Sequence, residues 1–158
     1  KDKYFIKLGK CPEKNIYKKK VKLKNGNGLI VNKGKDLTIY CTGNILENVY
    51  EAVEKVKLNG FTINLISIPI IKPLNEKFIK SNLNSNKILI IEENSKIGGL
   101  SSSIADIFIK DYKRKIQFRS IALEDIVHNK IGDQIHLRDI NKLSVDKIYK
   151  FLTKYLDG

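Results

Sequence analysis

Two glutamates, a glycine pair and a run of three consecutive serines stand together in 92-EENSKIGGLSSSIADIF-108, at the end of the apolar run 87-KILIIE-92. Glu92 and Glu93 would end a strand, and in an open α/β sheet ligands gather at the carboxyl ends of strands. Paired carboxylates there could do acid–base work, or could form a solvated strand end or pair with one of many lysines. Gly98 and Gly99 would let a backbone approach phosphate at a helix N-terminus. A Walker loop, however, ends in lysine followed by serine or threonine, and a dinucleotide fingerprint needs a third glycine. Neither is present, and a tight strand–helix crossing accounts for the glycine pair. A nucleophilic serine at Ser101 to Ser103 would need glycine on both sides, but here glycines only precede. His128 and His136, with Asp125, Asp133 and Asp139 nearby, match no metal motif, so no metal site is expected. Cys11 and Cys41 lack metal spacing; Cys41 reads as a small buried hydrophobe, and no disulfide is expected.

The elements that must position these groups follow from periodicity. A weak alternation makes 4-YFIKLGK-10 a short strand, and residues 11–27, basic and without period, read as a linker. Two apolar runs around 32-NKGKD-36 in 28–43 give a hairpin signal. Ile45, Val49, Ala52, Val53 and Val56 recur at helical spacing between Asn44 and Asn59, with Gly60 to end the helix. Next come a strand at 61–68, a short helix at 74–83 after Pro69 and Pro73, and a strand at 87–92 apolar enough to be covered on both faces. A helix at 101–111, a strand at 115–122, an irregular stretch through Gln134, and a last helix capped by Ser144 complete the chain. Its stripe is Val145, Ile148, Phe151, Leu152 and Tyr155. Alternating strands and helices predict an α/β domain with a largely parallel sheet, whose first strand is an antiparallel edge.

The bulk numbers agree with a single soluble domain: 158 residues, 42% hydrophobic and 30% charged,. The most apolar stretch, 61–71, is too short to span a bilayer. No secretory or transit pattern opens the chain, and the expectation is a cytoplasmic protein. The sequence contains no methionine, so it is expected to be a piece of a longer protein or half of a split one. The net charge of +13 raises nucleic acid as a partner,. Against that, arginine occurs only at Arg114, Arg119 and Arg138, although base readout favours arginine,. Residues 1–36 hold twelve lysines against Asp2, Glu13 and Asp36, so +9 of the +13 lies there. A free-standing basic module, gripping nucleic acid or another anionic partner through residues 1–24, is the second reading.

Five segments, in order, resemble one family. The end of 4-YFIKLGK-10 and then 34-GKDLTIYCTG-43 resemble the "RLGR … GxD[VL]T[IL] … TG" passage of transketolase-like thiamine-diphosphate enzymes. The segment 66-ISIPIIKPLNE-76 is similar to the family's "IKPLD", with Asn75 in place of aspartate. The stretch 90-IIEENSKIGGLSSSIADIF-108 resembles "EEH…GGLGSAVAE", and 122–148 resembles "GIPD.F…G…L…GLS…I". The ending is closer to transketolase and deoxyxylulose-phosphate-synthase relatives than to the β subunit of 2-oxoacid dehydrogenases.

The resemblance implies a C-terminal domain, a three-layer α/β/α unit on a five-stranded, mostly parallel sheet with one antiparallel edge strand. Residues 1–27 would be the end of a preceding pyrimidine-binding domain plus a basic linker, and 28–158 the domain itself. Thiamine diphosphate and Mg would be bound by other domains of the parent enzyme, not by this piece. Its partners would be those thiamine-binding domains or subunits, in a homodimer that transfers a two-carbon ketol or related unit, and this piece alone would be inactive. Lys7 and Lys10 match family arginines that hold a substrate phosphate; lysine keeps the charge but loses the bidentate fork. Gly98 and Gly99 would turn the chain from the 87–92 strand into the 101–111 helix, with Glu92 and Glu93 facing neighbouring domains or a partner subunit. Asn94, Ser101 and Lys142 depart from the family's histidine, glycine and glycine.

Overall fold

The computed structural model describes residues 3–9, 12, 14–17, 19–110, 115–126 and 130–158. Five strands form one sheet: β1 (Leu29–Asn32), β2 (Leu37–Thr42), β3 (Ile63–Ser67), β4 (Lys87–Ser95) and β5 (Gln117–Leu123). Their order is β1-β3-β2-β4-β5. Only β1 runs antiparallel, against β3; the β3-β2, β2-β4 and β4-β5 pairs are parallel. Every residue of β2 and β3 is buried. Their unbroken apolar runs are what a parallel sheet covered on both faces demands.

Helices α1 (Leu46–Lys57) and α5 (Val145–Asp157) cover one face. There Val49, Val53 and Val56 of α1, with Ile148 and Leu152 of α5, pack on Leu37, Ile39, Leu65, Leu89 and Ile91. Helices α2 (Glu76–Ser81) and α3 (Leu100–Ile109) cover the other. Ile79, Ile104, Ile107 and Phe108 meet Tyr40, Ile66, Ile88 and Ile90 there. The expected three-layer α/β/α fold on a mostly parallel sheet is the one observed. A seven-residue helix, α4 (Gln134–Ile140), lies between β5 and α5 in sequence.

Three expectations need correction. The two runs around 32-NKGKD-36 do not form a hairpin: β3 lies between them. The connection passes beneath the start of β3, where Asp36 N–H donates to Thr62 O at 3.0 Å. Asp36 Oδ2 in turn accepts from the Thr62 backbone N–H and hydroxyl, both at 2.6 Å. Gly34 sits so close to the Thr62 and Ile63 backbone that a Cβ there has no room. The antiparallel edge survives, but its partner is β3, because central β2 gains two parallel neighbours and full burial that way. Second, residues 4–9 form no strand. Tyr4, Phe5, Ile6 and Leu8 are all more than 70% exposed, and no strand of the sheet lies beside them to complete a ladder. Third, the expected elements hold no helix between the irregular stretch that ends at Gln134 and the last helix, yet α4 begins at Gln134. It buries no residue, so it carries no hydrophobic stripe to betray it.

The basic linker is also better anchored than its composition suggests. Lys14 Nζ pairs with Glu47 and Glu51 of α1, at 3.1 and 2.6 Å. Ile16 and Tyr17 pack against the core, and Gly26 O accepts from Asn75 N–H at 2.9 Å on the opposite face. The linker therefore crosses the carboxyl ends of the strands from the α1 side to the α2 side.

Candidate functional site at the carboxyl end of the sheet

Parallel β2, β3 and β4 deliver Thr42, Ser67 and Glu92 to the same end of the sheet. Glu92 is fully buried, contrary to the expectation that it faces a neighbouring domain. Its Oε2 accepts from Leu100 N–H at 2.7 Å and its Oε1 from Ser101 N–H at 2.8 Å. These are first-turn amides of α3, which a helix leaves without internal partners. The N-cap residue is Gly99, which has no side chain to satisfy them. Glu92 caps the helix from across the loop, and its charge complements the positive end of the helix dipole.

The glycine pair fits this arrangement. Gly98 adopts φ 73°, and its N–H donates to Ser102 Oγ at 3.1 Å. A Cβ on Gly99 would run into the Glu92 carboxylate and Ser95 O. The loop that looks like a phosphate cradle thus does turn β4 tightly into α3, and its anion is internal. The serines are engaged as well: Ser101 and Ser102 hydroxyls donate to Lys96 O, and Ser103 to Gly99 O.

Glu93 points to the other face and also stays within the domain. Arg138 of α4 grips it with Nε to Oε1 at 3.0 Å and Nη2 to Oε2 at 2.8 Å. The Arg138 side chain is only 11% exposed, and this bidentate geometry is the strong form of the interaction,. Asn48 of α1 joins through Arg138 Nη1 at 3.5 Å and donates to Leu143 O at 2.9 Å. The cluster ties β4, α1 and the α4–α5 turn together. Arg138 was absent from the expected site residues, since only α4 brings it to Glu93. The available signal was Asp133, whose side chain accepts from His136 N–H at 2.8 Å and starts the helix.

Lys7 lies at the same end, its Nζ donating to Asn94 Oδ1 at 2.9 Å. It meets the residue that replaces the family histidine. Gly9 rests against the Asn44 side chain, so residues 7–9 lie over the ends of β2 and β4. Lys10, Cys11, Lys18 and His128 fall outside the described residues. Cys41 is buried and burial pushes its thiol well above the ordinary range, which makes it inert at neutral pH,. Burial likewise raises the Tyr17 phenol, opposed by a hydrogen bond with Ser67. Among the described residues no three His, Cys, Asp or Glu side chains converge in a manner suited to a metal ion. Nor, among the same described residues, is any helix long and apolar enough to cross a membrane.

The comparisons agree with this architecture. The model of the transketolase C-terminal domain matches residues 26–148. An uncharacterised transketolase family protein of Sinorhizobium fredii is 28% identical over 84% of the chain. A transketolase C-terminal section of Methanocaldococcus jannaschii is 32% identical over 64%, and 1-deoxy-D-xylulose-5-phosphate synthase of Francisella philomiragia 30% over 85%. The chain spans 39%, 31% and 21% of these relatives' own lengths. Among solved structures, a split-gene transketolase described as an inactive β4 tetramer superposes with a TM-score of 0.77 at 20% identity, over 92% of this chain and 46% of that one. Transketolase of Campylobacter jejuni gives 0.60 at 12% identity, over 93% of this chain and 20% of its own. With the matched residues covering the whole sheet, helices α1 to α4 and the start of α5, this chain belongs to the transketolase C-terminal domain family.

Proposed function

We propose that the chain is the C-terminal, non-catalytic part of a transketolase-like thiamine-diphosphate enzyme that transfers a two-carbon ketol or related unit. The observation that best supports this reading is the fate of the two strand-end carboxylates. Glu92 spends both oxygens on the α3 N-terminus and Glu93 both on Arg138. Groups so engaged hold a scaffold together and are poorly placed to move protons. The exposed apolar residues Tyr4, Phe5, Ile6 and Leu8 add a surface suited to cover by the thiamine-binding part of the enzyme,. In this reading residues 1–27 belong to that preceding part and its linker, and the assembly is a homodimer in the cytoplasm. Thiamine diphosphate and Mg are held elsewhere in the enzyme.

Lys7 is placed at the rim, where its ammonium can meet a substrate phosphate as a point charge, with Lys10 as its expected companion. Titration calorimetry of the chain with thiamine diphosphate and Mg is expected to give no heat of binding. Micromolar binding would overturn the assignment of the cofactor to other domains. Co-expression with the thiamine-binding part should then restore ketol transfer, and a Lys7→Ala change should raise KM for a phosphorylated substrate more than it lowers kcat.

A further inference from the structure

We propose that the groove between the open edge of β5 and helix α5 receives an extended, acidic segment of a partner protein, which adds to the sheet as a further strand. This does not depend on the enzymatic reading above. Strand β5 ends the sheet, with β4 as its sole strand neighbour among the described residues. Gln117 N–H donates to Asn86 O at 2.8 Å and Leu123 O accepts from Lys96 N–H at 2.9 Å, both on the β4 side. Because successive residues of a strand aim their N–H and C=O at opposite edges, Phe118, Ser120 and Ala122 present theirs outward.

The space beside that edge has the shape an added strand needs. Two cavities, of about 620 and 420 Å³, share Phe151 and together follow β5 from Gln117 to Glu124. Phe151 and Tyr155, with ring centroids 5.8 Å apart, give the groove an apolar wall on α5. Strand on one side and helix on the other is the arrangement in which a peptide gains affinity from backbone bonds and selectivity from side-chain pockets.

Charge selects the occupant. Arg119, Lys154, Lys147, Lys142 and Lys96 line the groove against Glu124 alone, and Glu124 pairs with Lys96 at 3.7 Å. Lys142 holds φ 64°, a backbone state that glycine would adopt at lower cost, and it carries a positive charge to the rim,. A second copy of this chain fits poorly, because two such basic edges repel and edge lysines deter like-with-like pairing. A nucleic acid would satisfy the lysines but has no backbone to match the outward N–H and C=O row.

The test uses the whole chain and a fluorescent peptide of alternating valine and glutamate, about eight residues long to span β5 at roughly 3.3 Å per residue. Binding is expected by anisotropy at low salt, weakening as salt rises. Hydrogen exchange should slow at the Phe118, Ser120 and Ala122 amides. Ser120→Pro removes an outward N–H that the sheet does not use, so the fold should persist. It should weaken the peptide on the order of tenfold. Lys147→Glu with Lys154→Glu should abolish the preference for glutamate over lysine in the peptide. No binding at low salt overturns the proposal, as does unchanged binding by a folded Ser120→Pro chain. Tighter binding of single-stranded RNA, with none of the three amides protected, also overturns it. Should Ser120→Pro unfold, amide protection in the unmodified chain decides the matter either way.

Discussion

Replacing Glu92 by glutamine leaves the side chain's volume almost unchanged and alters the chemistry at one terminal atom. Both carboxylate oxygens accept from backbone amides, Leu100 N–H at 2.7 Å and Ser101 N–H at 2.8 Å, in a place fully shut off from water. An amide nitrogen cannot accept, so one of the two N–H groups must face another donor. A buried donor left unsatisfied costs about 1–3 kcal/mol. Loss of the charge at the helix N-terminus adds up to ~1 kcal/mol. Relief from burying a charge works in the opposite direction. The balance is a destabilisation of about 2–3 kcal/mol, a large share of the ~5–15 kcal/mol typical of a domain.

At about 2–4 °C per kcal/mol for a chain of this size, Tm should fall by roughly 4–12 °C. Urea denaturation would give the free energy directly, with the slope unchanged if only the native state is affected. Hydrogen exchange supplies the local readout: amides of the first turn of α3 should exchange faster while those of α1 and α5 hold. Glu92→Gln within ~0.5 kcal/mol of the parent chain, with the Leu100 and Ser101 amides still protected, would refute the capping role.

Two more predictions concern the same framework. Arg138→Lys keeps the charge but cannot reproduce the fork on Glu93, and should cost about 1–2 kcal/mol in urea denaturation with loss of protection in α4,. Equal stability of the lysine variant would show that charge alone holds the cluster. At the foot of the sheet, the Thr62 hydroxyl and backbone N–H hold the Asp36 carboxyl below the usual range. A depressed carboxyl stabilises the fold above its unfolded pKa of about 3.9, and that contribution is lost as pH falls through the lower folded value. Asp36→Asn should therefore cost stability at neutral pH and flatten the acid limb below about pH 4. Because Asp36 is only partly buried and solvent screens its charge, the effect should stay under ~1 kcal/mol,; an acid limb identical to the parent's would contradict it.

The core elements were legible in the sequence because burial writes itself as a pattern. Val49, Val53 and Val56 at helical spacing located α1, and the branched runs at 61–68 and 87–92 located two covered strands. The glycine pair at 98–99 was likewise read correctly as a tight turn into a helix. Helix α4 escaped because it buries nothing, and no apolar stripe marks it. The strand order escaped for another reason: 32-NKGKD-36 has the local chemistry of a hairpin turn, and only the pairing of Asp36 with Thr62 shows that β3 enters between the two runs.

Composition, spacing and order along the chain by themselves determined the α/β class, the buried faces and the family resemblance, since these depend on residue type and local period. The direction of individual polar groups was decided by tertiary structure alone. Glu92 and Glu93 are identical neighbours in sequence, yet the alternation of a strand sends one to the α3 N-terminus and the other to Arg138. Which partner waits on each face is set by segments distant in sequence, so only the packed fold shows that the strand-end carboxylates serve as structural ties.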